Sequence, residues 1–167
     1  MAASDFILST KDLNSIFEYK DGNLYWKIYS GHGRMKPGDL AGTTHKNGYK
    51  SVRINNVIVK QHRVIFVMFN GYLPYYIDHI DGNRSNNKIE NLRDANACQN
   101  SRNAKTPKRN SSGVKGVSWH KLKNKWIASC SVNGSLKHIG YFEEIKEAEE
   151  AVRAFRNEHH GNFANHG

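Results

Sequence analysis

No acidic residue occurs between positions 95 and 142, and the next eight positions hold five glutamates: Glu143, Glu144, Glu147, Glu149 and Glu150. This segregation constrains the fold because the two stretches differ in periodicity as well as in charge. Within the acid-free stretch, Trp126, Ala128, Cys130 and Val132 alternate at period two, the signature of a strand buried on one face. The glutamate-rich stretch changes to helical spacing, with Ile145, Ala148, Ala151, Val152 and Phe155 along one stripe. Each apolar surface can bury the other, so the expected unit is a small sheet packed on one helix. Its basic sheet then faces outward and its acidic helix lies behind, which suits a polyanion on the sheet side.

The whole chain carries the same bias. It has 25 Lys and Arg against 15 Asp and Glu in 167 residues, a formal net charge of +10. Such a balance fits nucleic acid or an anionic membrane surface. The most apolar run, residues 64–69, is far too short to cross a bilayer, so nucleic acid is the favoured partner. Residues 1–10 include Asp5 and no basic residue ahead of a brief apolar patch, so they do not read as a secretory signal and a cytoplasmic location is expected. Cys98 and Cys130 are too few for a four-cysteine zinc site and read as packing residues.

Ahead of the basic stretch the chain reads as scaffold. Residues 9–19 suit a short helix capped by Ser9 or Thr10, with Leu13, Ile16 and Phe17 on one face. Asp21-Gly22 signals a turn before a strand at Leu24-Tyr25-Trp26. Val52, Ile54, Val57 and Val59 flank Asn55-Asn56 as in a tight hairpin, and residues 62–69 then read as a buried helix. Residues 102–112 carry Arg102, Lys105, Lys108 and Arg109 with Pro107 and no acid, the composition of an exposed linker able to follow a phosphate backbone.

The densest chemistry lies at 77–103. It runs Asp78-His79-Ile80-Asp81-Gly82-Asn83, then Ile89-Glu90-Asn91-Leu92-Arg93, then Gln99-Asn100. Singly these residues have bland readings, since Asp81-Gly82 is a turn and asparagines favour loops. As an ordered set, Asp-His, a later Asn and another Asn on an expected helix, they resemble the core of phage HNH homing endonucleases. The resemblance implies a ββα-metal (His-Me finger) fold, in which a hairpin carrying Asp78 and His79 packs on a helix at about 94–103 capped by Asp94. It makes His79 the general base, since a neutral imidazole can take a proton from water near neutral pH. Asp78 and the amide oxygen of Asn100 become oxygen ligands for Mg2+ or Mn2+. Asn91 is expected to hydrogen-bond His79 and fix its orientation and tautomer. Asp81, Asn83, Asn86 and Asn87 are assigned to the loop itself, and His62 to packing or capping.

A second resemblance covers residues 111–167. Ser112-Gly113-Val114-Lys115-Gly116-Val117, Gly140-Tyr141-Phe142 and the alanine-rich helix are similar to the plant ethylene-response-factor (APETALA-type) DNA-binding domain. That family lays a three-stranded sheet in the major groove, which implies DNA contacts from Lys115, Ser118, His120, Lys125, Ser129, Ser131 and His138, alongside the linker's Arg102, Lys105, Lys108 and Arg109. Serines at 118, 129 and 131 stand where the plant domains place arginines, so bidentate guanine contacts are expected to be fewer.

The expectation is an α+β chain. A nuclease domain spans 1–105, with its core at about 49–104, and is followed by a basic linker at 106–111. A small three-stranded antiparallel sheet packed on one helix occupies 112–167. Its expected work is metal-dependent nicking of double-stranded DNA by a monomer, in a phage-type protein acting inside a bacterial host. The alternative is a non-catalytic DNA-binding regulator, which would not need Asp78, His79, Asn91 and Asn100 together.

Overall fold

The computed structural model describes residues 9–30, 34–103, 106 and 110–167. They form two compact units that divide between Asp94 and Ala95, ahead of the basic linker.

The first unit opens with helix α1 (Thr10–Ile16). Ser9 accepts from the Asp12 amide while the Asp12 carboxylate accepts from the Ser9 amide, a reciprocal cap that satisfies two orphan donors. The helix stops at Ile16 rather than reaching Tyr19, because Phe17 is the first residue of strand β1 (Phe17–Lys20). Its partner is β2 (Asn23–Trp26). The turn between them places Asp21 and Gly22 at φ 46° and 78°, the doubly positive geometry of a tight hairpin. Phe17 faces Trp26 across the pair with ring centroids 4.8 Å apart, so burial of two aromatics outweighs the helical spacing of Leu13, Ile16 and Phe17.

Strands β3 (Thr43–Thr44), β4 (Lys50–Ile54) and β5 (Val57–Lys60) form a second antiparallel sheet. Asn55 and Asn56 turn between β4 and β5 at φ 45° and 64°, as the hairpin reading requires. Helix α2 (Gln61–Asn70) follows without a gap and ends on Gly71, whose φ of 77° is the left-handed stop that glycine supplies. Its inner face, Val64, Ile65 and Phe66, packs with Leu13, Phe17, Leu24, Val52 and Ile54 into one core. Strands β6 (Tyr76–His79) and β7 (Leu92–Ala95) pair and hold the intervening loop at their end.

In the second unit, helix α3 (Ala97–Arg102) is capped by Asn96, whose side chain accepts from the Gln99 amide at 2.9 Å while Gln99 Oε1 accepts from the Asn96 amide at 2.8 Å. Asp94, the expected cap, lies in β7, and its carboxylate accepts from the Tyr72 hydroxyl at 3.2 Å. The Asn96–Gln99 spacing closes a reciprocal box that Asp94 has no partner to form.

Strands β8 (Val117–His120), β9 (Lys125–Val132) and β10 (Ser135–Phe142) make an antiparallel sheet in the order β10-β9-β8, and helix α4 (Ile145–His160) packs on it. Val117, Ala128, Cys130, Ala148 and Val152 are its buried centre, with Trp126, Ile145 and Phe155 packed around them. Period two in the strand and the helical stripe therefore meet as the sequence implies. Gly116 enters β8 at φ 80°, and a Cβ there would stand 2.5 Å from the Ser129 carbonyl oxygen, so only glycine fits. Among the described residues no helix is long and apolar enough to cross a membrane.

Candidate functional site

Asp78 and His79 end β6, and both side chains are buried, each with about 5 % exposure. The Asp78 carboxylate is paired with Arg93 on neighbouring β7: Nε donates to Oδ2 at 2.8 Å, and a second guanidinium nitrogen lies 2.7 Å from the same oxygen. Burying a carboxylate is costly without such a partner, so Arg93 is part of the site rather than a solvated charge.

The loop after His79 is built from its own asparagines. Asp81 Oδ1 accepts from the Asn83 amide and from Asn91 Nδ2, and Asp81 Oδ2 accepts from Asn86 Nδ2 at 2.7 Å. Asn91 Oδ1 accepts from the Asp81 amide at 3.0 Å, and Asn91 Nδ2 also donates to the Asn86 carbonyl at 2.8 Å. The Asn91 carboxamide is thus committed to closing the loop. It does not take the part expected of it against His79, because its oxygen and its amide hydrogens point at residues 81 and 86.

The histidine instead meets Asn87. His79 Nε2 lies 3.0 Å from Asn87 Oδ1, and Asn87, almost fully buried, donates from Nδ2 to Gln61 Oε1 at 3.2 Å. Gln61, the first residue of α2, donates in turn to the Ala41 carbonyl at 2.9 Å. Turn chemistry alone assigns Asn87 to the loop, and nothing in the residue pattern singles out Gln61. A glutamine at the start of an apolar helix is the one signal that could have marked it, since a buried amide requires partners.

Two further rings complete the surroundings. His62 packs edge-on against His79 at 5.0 Å between centroids, and Tyr49 lies 5.5 Å from His62 and 6.1 Å from His79. Lys60 and Arg84 sit over the Tyr49 ring at 4.3 and 5.0 Å, which brings two exposed cations to the rim of the histidine pair. Burial, followed by the charges of His79, Lys60 and Arg63, pushes the His62 imidazole down to about 3, so this ring is neutral and packs, as its position in an apolar helix implies.

Asn100, the second expected metal ligand, is exposed on α3 in the other compact unit. Among the described residues no group of three or more His, Cys, Asp or Glu side chains converges as a metal site. The donor set expected from the sequence is instead a single carboxylate with an amide oxygen. Oxygen-only donors of that kind suit a hard cation that keeps much of its shell as water and phosphate.

In the second unit the strand register collects the outward-facing candidates. Ser118 pairs with Ile127, His120 with Lys125, and His138 with Ser129, while Ser131 pairs with Leu136. These positions alternate with Val117, Ala128 and Cys130 and share the face away from α4. Tyr141 lies among them, 5.3 Å from His120 and 4.6 Å from His138 between ring centroids, with Lys123 Nζ 3.8 Å above its ring. Lys125 also pairs with Glu143 at 2.7 Å.

Lys115 does not share that face. Its ammonium donates to the Arg102 carbonyl at 2.9 Å, and burial together with Arg156 lowers it to about 8. It ties down the end of α3, because the backbone at Gly116 turns it beneath the sheet. Arg102 donates to Asn133 at 3.1 Å. Lys105, Lys108 and Arg109 lie outside the described residues.

Residues 59–102 match the HNH endonuclease family. The chain is 38% identical over 123 residues to Protein 3.8 of Escherichia phage T7, an alignment covering 72% of this chain and 95% of the phage protein. It is 35% identical over 106 residues to the uncharacterized HNH endonuclease L560 of Acanthamoeba polyphaga mimivirus, covering 62% of this chain and 54% of that protein. No solved structure matches the chain.

The depressed His62 has a consequence for stability. Its folded value of about 3 lies below the ordinary 6.5, so between those values the unfolded chain binds the proton and the folded chain does not. Stability is then lost as pH falls below 6.5, by at most about 1.4 kcal/mol per pH unit, until the folded ring titrates near 3. Urea denaturation at pH 7.5 and pH 5.5 should show this loss in the intact protein and a shallower one in His62→Leu.

Proposed function

Residues 59–102 belong to the HNH endonuclease family, and from that premise we propose that the chain hydrolyses one strand of double-stranded DNA with His79 as the general base. What supports the reading most is the orientation of the imidazole. An amide oxygen only accepts, so the nitrogen facing Asn87 Oδ1 carries the hydrogen and the lone pair of the neutral ring sits on Nδ1.

Nδ1 takes a proton from a water whose oxygen bonds to phosphorus. The phosphorus–oxygen bond on the opposite side breaks, and the leaving oxygen departs with its electron pair and is protonated by solvent. Asp78 is the carboxylate that would hold Mg2+ or Mn2+ beside the base, with Arg93 steadying it from the β7 side. Asn100 enters as a second oxygen ligand from the sequence pattern alone. When bound, the divalent cation supplies positive charge where the leaving oxygen becomes negative.

The outward face of β8, β9 and β10 is proposed as the surface that holds the duplex. Its register brings His120, Lys125, His138 and Tyr141 together, with Lys123 from the β8–β9 turn over the Tyr141 ring, and serines 118, 129 and 131 favour backbone contacts over guanine recognition. One histidine base per chain implies a nick from each encounter, the behaviour of a homing-type enzyme that opens one strand at a time.

The reading is tested on supercoiled plasmid and host DNA with Mg2+ or Mn2+. The intact protein should convert supercoiled to open-circular DNA, chelation should stop it, and His79→Ala should slow it by at least about a hundredfold. Equal cutting by His79→Ala would overturn the assignment, and tight binding without cutting of any DNA would return the chain to the regulator class. Replacing Lys123 and Lys125 together by alanine should make the dependence of log affinity on log salt shallower by about 1 to 2, about one for each lost phosphate contact. An unchanged slope would remove these lysines from the DNA surface.

A further inference from the structure

We infer that Gln61 and Asn87 are positioning residues for His79, forming a directional amide relay that fixes the imidazole in its Nε2–H tautomer. The inference rests on His79 as the base and names what aims it.

The relay begins at a group with only one possible role. The Ala41 carbonyl accepts and cannot donate, so the end of the Gln61 side chain that meets it at 2.9 Å is the nitrogen. That places Gln61 Oε1 at the other end, where it accepts from Asn87 Nδ2 at 3.2 Å. Asn87 then presents Oδ1 to the histidine, and His79 Nε2, 3.0 Å away, donates to it. Each step follows from the previous one, and no alternative assignment satisfies all three contacts. Turning over either amide would set two oxygens or two donors face to face. With Gln61 and Asn87 each only 1 % exposed, water cannot repair such a mismatch.

The anchor is itself rigid. The Ala41 amide donates to the Leu24 carbonyl at 2.7 Å, and Ala41 is buried in the core. Gly42, at φ 98°, packs so closely on the Ser51 carbonyl that a side chain could not be accommodated. The carbonyl is therefore held between β2 and β4, and the relay carries that fixed orientation from the segment before β3, through the first residue of α2, to the loop after β6. A buried amide pair serving only to satisfy polar groups would have no need to end on a ring with two tautomers.

The test uses the full chain with 15N-labelled histidine, read by long-range proton–nitrogen correlation at a pH where the ring is neutral. The intact protein should give a protonated-type signal at His79 Nε2 and an unprotonated-type signal at Nδ1. An Nδ1–H tautomer, or averaged signals, would overturn the relay whether or not the protein cuts DNA, so this result is separable from failure of the nuclease reading.

Asn87→Leu keeps the volume and removes the amide. It should average the His79 signals and lower the single-turnover rate at saturating DNA by about 10- to 100-fold, with DNA affinity within about twofold. Asn87→Asp keeps an acceptor for Nε2–H while setting its other oxygen against Gln61 Oε1, so it should recover the His79 signal and only part of the rate. Gln61→Met, which releases the far end of the relay, should move the signals in the same sense as Asn87→Leu and provides the comparison if the leucine variant does not fold. A folded Asn87→Leu or Gln61→Met that loses the tautomer and cuts at the intact rate would overturn the positioning role.

Discussion

A peptide carbonyl cannot donate a hydrogen bond, and at Ala41 that asymmetry is carried through two buried amides to the ring of His79. The elements of the first unit are arranged to make this possible. β2 holds Ala41 in place, α2 begins at the residue that reads it, and the loop closing β6 against β7 supplies the next amide. Because all of these groups are out of water, each must be satisfied by the protein, and the geometry tolerates only one arrangement. The loop that carries Asn87 is braced separately by the Asp81, Asn86 and Asn91 contacts, so the residues that shape it differ from those that aim the histidine.

The surrounding charges follow the same logic. Asp78 is buried but paired with Arg93, and His62 is buried and held neutral, so the interior of the site carries little uncompensated charge. Exposed cations, Lys60 and Arg84, stand over Tyr49 at the rim, where they can meet a phosphate without being desolvated first. The second unit segregates charge on a larger scale, with its outward strand face lacking acids and its glutamates on and around α4.

Much of this was legible because local signals and tertiary structure agreed. Asp21-Gly22 and Asn55-Asn56 make the turns their backbone freedom favours, and the alternation at 126–132 faces the stripe at 145–155. Illegible features depended on direction rather than pattern. Asn83, Asn86, Asn87 and Asn91 lie within nine positions, and nothing in their spacing says which carboxamide turns toward the histidine and which closes the loop. Asp94 is the cap expected from the sequence, but Asn96 takes that place because Gln99 stands three residues beyond it and closes the box. Lys115 resembled its basic neighbours, but the turn at Gly116 carries it beneath the sheet to the end of α3. Gln61 was hidden by the apolar helix it begins, since amphipathic patterns do not register a polar side chain that finds its partners inside.

The proposed cleavage depends on the ring at position 79 removing the proton from water, and chemical rescue measures this most directly. His79→Gly with DNA and Mg2+ or Mn2+ should be nearly inactive and should regain nicking in proportion to added free imidazole, with the increase following the neutral form as pH is varied. A glycine variant that binds DNA as tightly as the intact protein and shows no gain at any imidazole concentration, or that nicks at the intact rate without it, would contradict the account.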